Sequence, residues 1–540
     1  MNFTAVRNLF SLKFAANIVL ELGRRRYSGW RLLQWIWRTK TFRSKGQLSV
    51  LQRPGAVLLG LAMATQLAVG IALLIDWARY GTPGEWELGV ALILSYSLLW
   101  AHIVVVLAWA YSVVWGLLHP KKTARSIICT MLEWQVRQLR VRHKFKVVAV
   151  NGSVGKTGTK LAVADLLKQS GLRVLHQTGN YNDRVTVPLV FFGLNEPSLY
   201  NIFAWIKVFG ATQSVIALPY HYDVVVVELG TDGPGQLADF AYIKPDITIV
   251  TAVSPEHMEQ FRTLDAVAAE ELSVFDFSKQ VLVNGDDIPG ESLAGLMFDD
   301  YSLASEQARY YGRAKARGLT GQELTVRLPR GELTAEIRYL GEHGAKLALA
   351  AAGAANMLGV NRTQIAKGLP GLAPFSGRMQ ILDGVKNTTI IDDTYNASPI
   401  AVEAALDVLY KARATQRIAI LGSMNELGDY SKEAHQEVGA YCDPKKLDVV
   451  VTIGHDAKRW LGPKARERGC HVQMFASPYE AGSYVNGKMK EGAVILVKGS
   501  QNGVFAEEAI KLLLADPTDA EKLVRQSPRW VNIKARQFPQ

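Results

Sequence analysis

Between Val148 and Leu167 the chain reads VAVNGSVGKTGTKLAVADLL: an apolar run, a glycine-rich turn, a Lys–Thr pair, then a helical pattern. Glycines at 152 and 155 let backbone N–H groups approach an anion, and a helix starting near Lys156 aims its positive end at it. Lys156 would neutralise the β- and γ-phosphates, and the Thr157 hydroxyl would ligate magnesium. This outlines a nucleotide cradle, although Val150 stands where the strict pattern has glycine. Glu228 ends the run DVVVVELG and His257 follows DITIVTAVSPEH. Both fall at the ends of expected strands, where open α/β sheets bind ligands. A carboxylate there suits the hard-oxygen coordination of magnesium. Alone, each is more often a solvated loop residue; with the cradle they form a constellation.

The elements that must position these residues can be read next. After Arg142, short β-branched runs (KFKVVAV, RVLHQT, DVVVVELG, DITIVTAV, QVLVNGDD) alternate with helical stretches such as Lys156–Gln169 and Leu264–Phe275. That alternation predicts a mostly parallel sheet covered by helices. Residues 300–345 switch to two-residue alternation, an expected antiparallel extension, and AKLALAAAGAANMLG reads as an Ala-rich helix. A second α/β set follows in TTIIDDTY, RIAILGSM, DVVVTIG and VILVKGS, with the joint near Gly371–Gln380. The segment NEPSLYNIFAWIKVFGATQSVIALPY reads as core packing, with a substrate lid or a second membrane contact as the alternative.

The formal charge of +12 is unevenly placed: residues 1–146 hold 20 Lys and Arg against five Asp and Glu, a net +15, which leaves −3 for the rest. The basic residues flank apolar runs, which argues for membrane orientation and against nucleic acid. Ala56–Ile75 is about 20 residues long, enough to span a bilayer as a helix, and Leu88–Leu118 is longer. The expectation is a transmembrane hairpin in the inner membrane, with lipid as a partner and both termini and the catalytic domains cytoplasmic. The division expected is 1–53 basic and amphipathic, 54–120 hairpin, 121–142 basic linker, 143–375 central ATP-binding domain, 376–516 C-terminal domain and 517–540 a peripheral tail. Cys129, Cys442 and Cys470 form no CxxC or Cys/His cluster, so neither a disulfide framework nor a zinc site is expected.

Taken in order, the motifs resemble those of the Mur ligases, most closely the MurF branch, which adds D-alanyl-D-alanine to UDP-MurNAc-tripeptide. GSVGKTGTK resembles the ATP loop of that family and TGNYNDRVTVPL its GNxNNxxGxPL segment. VVVELGTDGPGQL, PDITIVTAVSPEHMEQF and VLVNGDD are similar to its central signatures; GRMQ, IIDDTYNASP, AILGSMNELG and LVKGSQNGVF are similar to its C-terminal ones. The resemblance runs from roughly 145 to 515. It implies a central P-loop ATPase domain, a Rossmann-like C-terminal domain, and an ATP- and Mg2+-dependent amide ligase that works through an acyl phosphate. It also implies roles. Gly152, Ser153, Gly155, Lys156, Thr157 and Gly158 would cradle ATP with His343. Thr157 and Glu228 would hold one magnesium and His257 the other. Arg378 would meet phosphate and Asp393 ribose, and Lys498 and Ser500 would lie near the incoming amine. Asn180, Asn182, Tyr395 and Asn396 would face substrate.

Three departures qualify this likeness. Glu271 stands where many members carry a carbamylated lysine, and is expected to supply a carboxylate to the second magnesium directly. Leu347 replaces an adenine-proximal asparagine. The hairpin stands in place of the small domain that grips UDP. The acceptor carboxylate is therefore expected to be lipid-linked or polymeric, and the donor an amino acid or dipeptide, with other envelope-synthesis proteins as further partners. A catalytically weakened scaffold is the alternative from another class, a ligase acting on a non-peptidoglycan polymer is the alternative in substrate, and a motor-type P-loop NTPase is disfavoured by Val150.

Overall fold

The computed structural model describes residues 53–81, 84–93, 120–177, 179, 181–501 and 503–538. The chain divides into two compact units, Met1–Ile128 and Cys129–Gln540.

In the first unit, helix α1 (Arg53–Tyr80) is followed after Gly81 by a helix over 85–93. The two pack through glycines: a Cβ on Gly70 would lie 3.0 Å from Ile93 Cγ1, and one on Gly89 2.9 Å from Leu74 Cγ. Midway along α1, Thr65 donates to the Leu61 carbonyl and Gln66 Nε2 to that of Leu92. Among the described residues no helix is long and apolar enough to cross a membrane. This overturns the expected transmembrane hairpin, and with it the multi-pass inner-membrane location. Within α1 the polar Thr65–Gln66 pair interrupts the apolar run, and Asp76 and Arg79 follow it. The expected segment 1–52 and most of the second span, 94–119, lie outside the described residues.

The second unit opens with α2 (Pro120–Arg142), which crosses the unit boundary and leads into a nine-stranded sheet. Its strands are β1 (Lys146–Asn151), β2 (Val174–Leu175), β3 (Val224–Glu228), β4 (Ile247–Val250), β5 (Val281–Asn284), β6 (Asp299–Ser302), β7 (Tyr310–Ala316), β8 (Gln322–Leu328) and β9 (Gly331–Ile337). The order is β2-β3-β1-β4-β5-β6-β7-β8-β9, parallel through β7 and antiparallel in the β7–β8–β9 extension. β1 is wholly apolar and buried from Val147 to Val150, as a strand covered on both faces must be. On one face lie α3 (Lys156–Gln169) and the Ala-rich α6 (Gly341–Met357), whose buried alanines let two helices and the sheet approach closely. The other face packs Phe191, Phe240 and Val136. Between α3 and α6 in the chain lie α4 (Ile202–Ala217) and α5 (Leu264–Glu271).

The six-stranded second sheet runs β10 (Gln380–Gly384), β11 (Thr388–Asp393), β15 (Val494–Lys498), β12 (Arg417–Gly422), β13 (Val449–Ile453), β14 (Val472–Phe475), with only β10 antiparallel to its neighbour. Helix α7 (Pro399–Lys411) covers one face. Two expectations fail here, one because side chains stay exposed and one because they are buried. The α4 segment was read as core from its apolar content, yet Ile202, Phe203 and Ile206 are 70, 79 and 61% exposed, and among its residues only Trp205, Thr212 and Ile216 are buried. The polar tail was read as peripheral, yet Leu523 and Lys534, in and before α8 (Pro528–Gln537), are buried on the second lobe. Composition alone misplaces a side chain whenever its partners come from far along the chain.

Candidate active site

The loop between β1 and α3 forms where left-handed backbone is needed twice, at Gly152 (φ 122) and Gly155 (φ 88). Only glycine fits at 152, because a Cβ there would lie 2.3 Å from Thr251 Oγ1 and 2.9 Å from the Ala252 amide. Thr251 also donates to the carbonyls of Asn151 and Val154, which fixes the turn. Ser153 is part of this scaffold: its amide donates to Ala252 O and its hydroxyl accepts from Ser254 N. α3 thus begins with its free N–H groups aimed into the cleft.

Lys156 and Thr157 open α3. Lys156 Nζ donates to Ser153 O and pairs with Glu256 at 3.2 Å. Burial disfavours its charge, but the carboxylates of Glu256, Glu271 and Glu228 outweigh that and raise its pKa above the ordinary lysine value. Thr157 Oγ1 donates to Glu228 Oε1 at 3.2 Å and Asn182 Nδ2 to the same oxygen at 3.3 Å. Lys160 holds Glu228 Oε2 at 3.1 Å, with both side chains 2% exposed. Burial opposes ionisation of Glu228, yet the charges of Lys160 and Lys156 and these bonds hold its pKa below the usual carboxylate value. Adjacent hydroxyl and carboxylate oxygens suit a hard divalent cation, so Thr157 and Glu228 fit magnesium.

The second metal set does not come together in the same way. His257, in left-handed backbone (φ 50), has Asp232, Glu256 and Glu426 as its carboxylate neighbours, at 3.6 to 3.8 Å. Glu271 is not among them. Its carboxylate accepts from Asn151 Nδ2 at 2.8 Å. Burial and the Glu256 charge push the Glu271 pKa up to about 7, against the pull of Lys156 and Asn151. Among the described residues no three His, Cys, Asp or Glu side chains gather as a metal-holding group. Thr157 and Glu228 thus offer adjacent oxygen donors for one magnesium, while His257 and Glu271 each bond to other partners.

Across the cleft stands the second lobe. One pocket is lined by Gly158, His343 and Leu347 from the first lobe and Arg378, Asp393 and Lys498 from the second. A Cβ at Gly158 would lie 3.0 Å from Leu347 Cδ1, so the leucine side chain would have to give way to it. His343 is pushed down to about 4, chiefly by burial, so it stands neutral. Arg378 stacks over the Tyr395 ring with 4.2 Å to the centroid, and its buried Nε has no hydrogen-bond partner, as expected of a group awaiting an anion. The strand register sets Asp393 opposite Lys498, and the two form a buried ion pair. Burial lowers the Lys498 pKa, with Asp393 opposing, and Lys498 also donates to Asn396 O at 3.0 Å. The Ser500 hydroxyl donates to Ala397 O and accepts from Asn425 N. Asn180 lies outside the described residues.

Sequence reasoning passed over Lys160, Glu256 and Asn151. Lys160 had a local signal, since it lies four residues after Lys156 on one helix face. Glu256 adjoins His257, and Asn151 begins the loop.

Two family models match the chain: the Mur ligase middle domain over residues 150–355, and the Mur ligase, glutamate ligase domain over 377–501. Among curated relatives, UDP-N-acetylmuramoyl-tripeptide--D-alanyl-D-alanine ligase of Haemophilus influenzae is 28% identical over 346 residues, 62% of this chain and 69% of that protein. Its Bacillus subtilis counterpart is 27% identical, over 69% of this chain and 76% of that protein. Among solved structures, MurF ligase from Thermotoga maritima in complex with ADP aligns with a TM-score of 0.58 at 22% identity, covering 73% of this chain and 84% of that one.

Proposed function

Because the chain belongs to the Mur ligase family, we propose that it joins a carboxylate of a cell-envelope precursor to an amino acid or dipeptide by MurF-like chemistry. It is an ATP-dependent ligase. The observation that carries the reading is the meeting of two half-sites. Val154 of the loop, Gly158 of α3 and His343 face Arg378, Asp393 and Lys498 across one pocket, and Lys156 and Thr157, with Glu228 bonded to Thr157, stand between those two loop-side lining residues in the chain.

A substrate carboxylate oxygen attacks the γ-phosphorus of ATP, the bond to the β-phosphate bridging oxygen breaks, and ADP leaves. The donor nitrogen then attacks the acyl carbon, phosphate departs with the acyl oxygen, and the nitrogen sheds a proton. Lys156 balances negative charge at the γ-phosphate, and the N–H groups of the loop hold the β-phosphate. Thr157 and Glu228 would hold magnesium, which supplies Lewis-acid polarisation of phosphate oxygens. Arg378, its Nε free, meets phosphate from the far side. His343 and Leu347 bound the base, and Asp393 reaches the ribose. Lys498, with its lowered pKa, sits where the donor amine must lose its proton, beside Ser500. Tyr395, Asn396 and Asn182 line the approach, and closure of the two lobes excludes water from the acyl phosphate. Glu271 acts through Asn151 on the loop, and His257 faces the phosphates with Glu256.

Substrate identity rests on the relatives named UDP-N-acetylmuramoyl-tripeptide--D-alanyl-D-alanine ligase. Residues 1–149 fall outside both family models. That observation supports a second reading, in which the carboxylate belongs to a different envelope polymer. The test offers UDP-MurNAc-tripeptide with D-Ala-D-Ala, then other envelope carboxylates with single amino acids, and measures phosphate release and product mass. A mass increase equal to donor minus water supports the ligase. ATP-dependent phosphate release with no coupled product for any pair would sink it.

A further inference from the structure

The tail beyond residue 516 lies outside both family models, yet it reaches the back of the nucleotide pocket. Arg525 stands in left-handed backbone (φ 57), a conformation that costs a non-glycine residue and persists only where its surroundings enforce it. Its guanidinium uses both edges. Nε and Nη2 donate to the two oxygens of Glu507 at 2.9 and 2.7 Å, while Nη1 donates to Tyr395 O at 3.0 Å and Nη2 also to Thr394 O. Glu507 is fully buried, and Lys534 of α8 holds it at 3.0 Å and Glu508 beside it. Next to Arg525, Val524 presses on Gly377 (φ 67), where a Cβ would lie 2.8 Å from Val524 Cγ1 and 2.9 Å from Tyr395 N. Tyr395 N in turn donates to Gly377 O.

We propose that residues 523–538 are a positioning strap: Arg525, set on Glu507, holds the Thr394–Asn396 turn from behind, so that Arg378, stacked on Tyr395, meets nucleotide phosphate and Lys498 meets the donor amine in one fixed geometry. The turn bears on both pocket cations. The Tyr395 ring carries Arg378, and Asn396 O accepts from Lys498. No atom of the strap lines the pocket, so Arg525 is a positioning residue, acting through two carbonyls. Lysine at 525 keeps the charge but lacks the fork that serves a carboxylate and two carbonyls at once.

The inference rests on the ligase reading only for its functional readout, so two measurements are paired. Hydrogen exchange of the peptide covering Thr394–Asn396 is followed in the full chain, together with ADP affinity by calorimetry, for Arg525→Lys and Arg525→Ala. Leu324→Ala, a core truncation in β8, controls for loss of overall stability. In the Arg525 variants exchange of the turn is expected to quicken and the ADP dissociation constant to rise roughly tenfold, as small misplacements of binding groups do, while Leu324→Ala changes neither. Arg525→Lys serves if Arg525→Ala does not fold. Unchanged exchange in both Arg525 variants, or equal changes in Leu324→Ala, overturns the strap. Failure of the wild-type chain to bind ADP sinks the ligase reading instead and leaves the exchange result to decide the strap.

Discussion

Glu271 places a carboxyl in the interior, beneath the loop that follows β1. Its place in the chain suggested a metal ligand; its surroundings make it a buried acid bonded to Asn151 with a pKa near 7. A carboxyl with a raised pKa binds its proton more tightly in the folded chain. Its contribution is therefore favourable near its unfolded value of 4.5 and is lost as pH rises through 7. Glu271→Gln keeps an oxygen for Asn151 and does not titrate. The variant is expected to exceed wild type in stability by about 2–3 kcal/mol near pH ~8.5 and to lose that advantage near pH ~4.5. Urea unfolding at the two pH values checks this, and an equal difference at both rules it out. Lys160 makes the complementary case. Removing it in Lys160→Met leaves the Glu228 charge buried without its closest cation, and a loss of about 3–5 kcal/mol is expected. Adding Glu228→Gln to that variant should recover much of the loss, which a double-mutant cycle in denaturant measures; strictly additive losses would show that the pair is not coupled.

At the scale of elements, the strand–loop–helix from β1 to α3 was legible because its determinants are adjacent: an apolar run, two glycines and a Lys–Thr pair. The β7–β9 extension was legible for the same reason, since alternation is a local property. Glu256, Glu507 and Arg525 were not, because each acquires its role from a partner 100 residues away in the case of Lys156, 18 in that of Glu507, and 130 in that of Tyr395. The tail misled further, since its buried side chains include lysine, a type normally found outside. The loop yields an element-level prediction. Gly152→Ala forces a Cβ against Thr251 and a φ of 122 on alanine, so ADP binding is expected to fall at least about 100-fold as the cradle loses its shape. Circular dichroism should show β1 and α3 intact. Retained ADP affinity in a folded variant would count against the cradle.

For the molecule as a whole, the pocket draws on both lobes, Gly158 and His343 on one side and Asp393 and Lys498 on the other. A ligand held this way stabilises both lobes together. ADP at about 100 times its dissociation constant should add about 2.7 kcal/mol to unfolding. Calorimetric scans should show the transitions of the two lobes moving up together; a shift confined to one lobe would place the nucleotide on that lobe alone. The second sheet carries one more consequence. Its last strand in the chain, β15, lies between β11 and β12, which have no ladder with each other. During synthesis, therefore, the growing polypeptide carries two partial sheets whose facing edges stay open until residue 498 has left the ribosome. Such edges pair readily with other chains, so the nascent protein needs protection, by a chaperone or by speed, until β15 emerges.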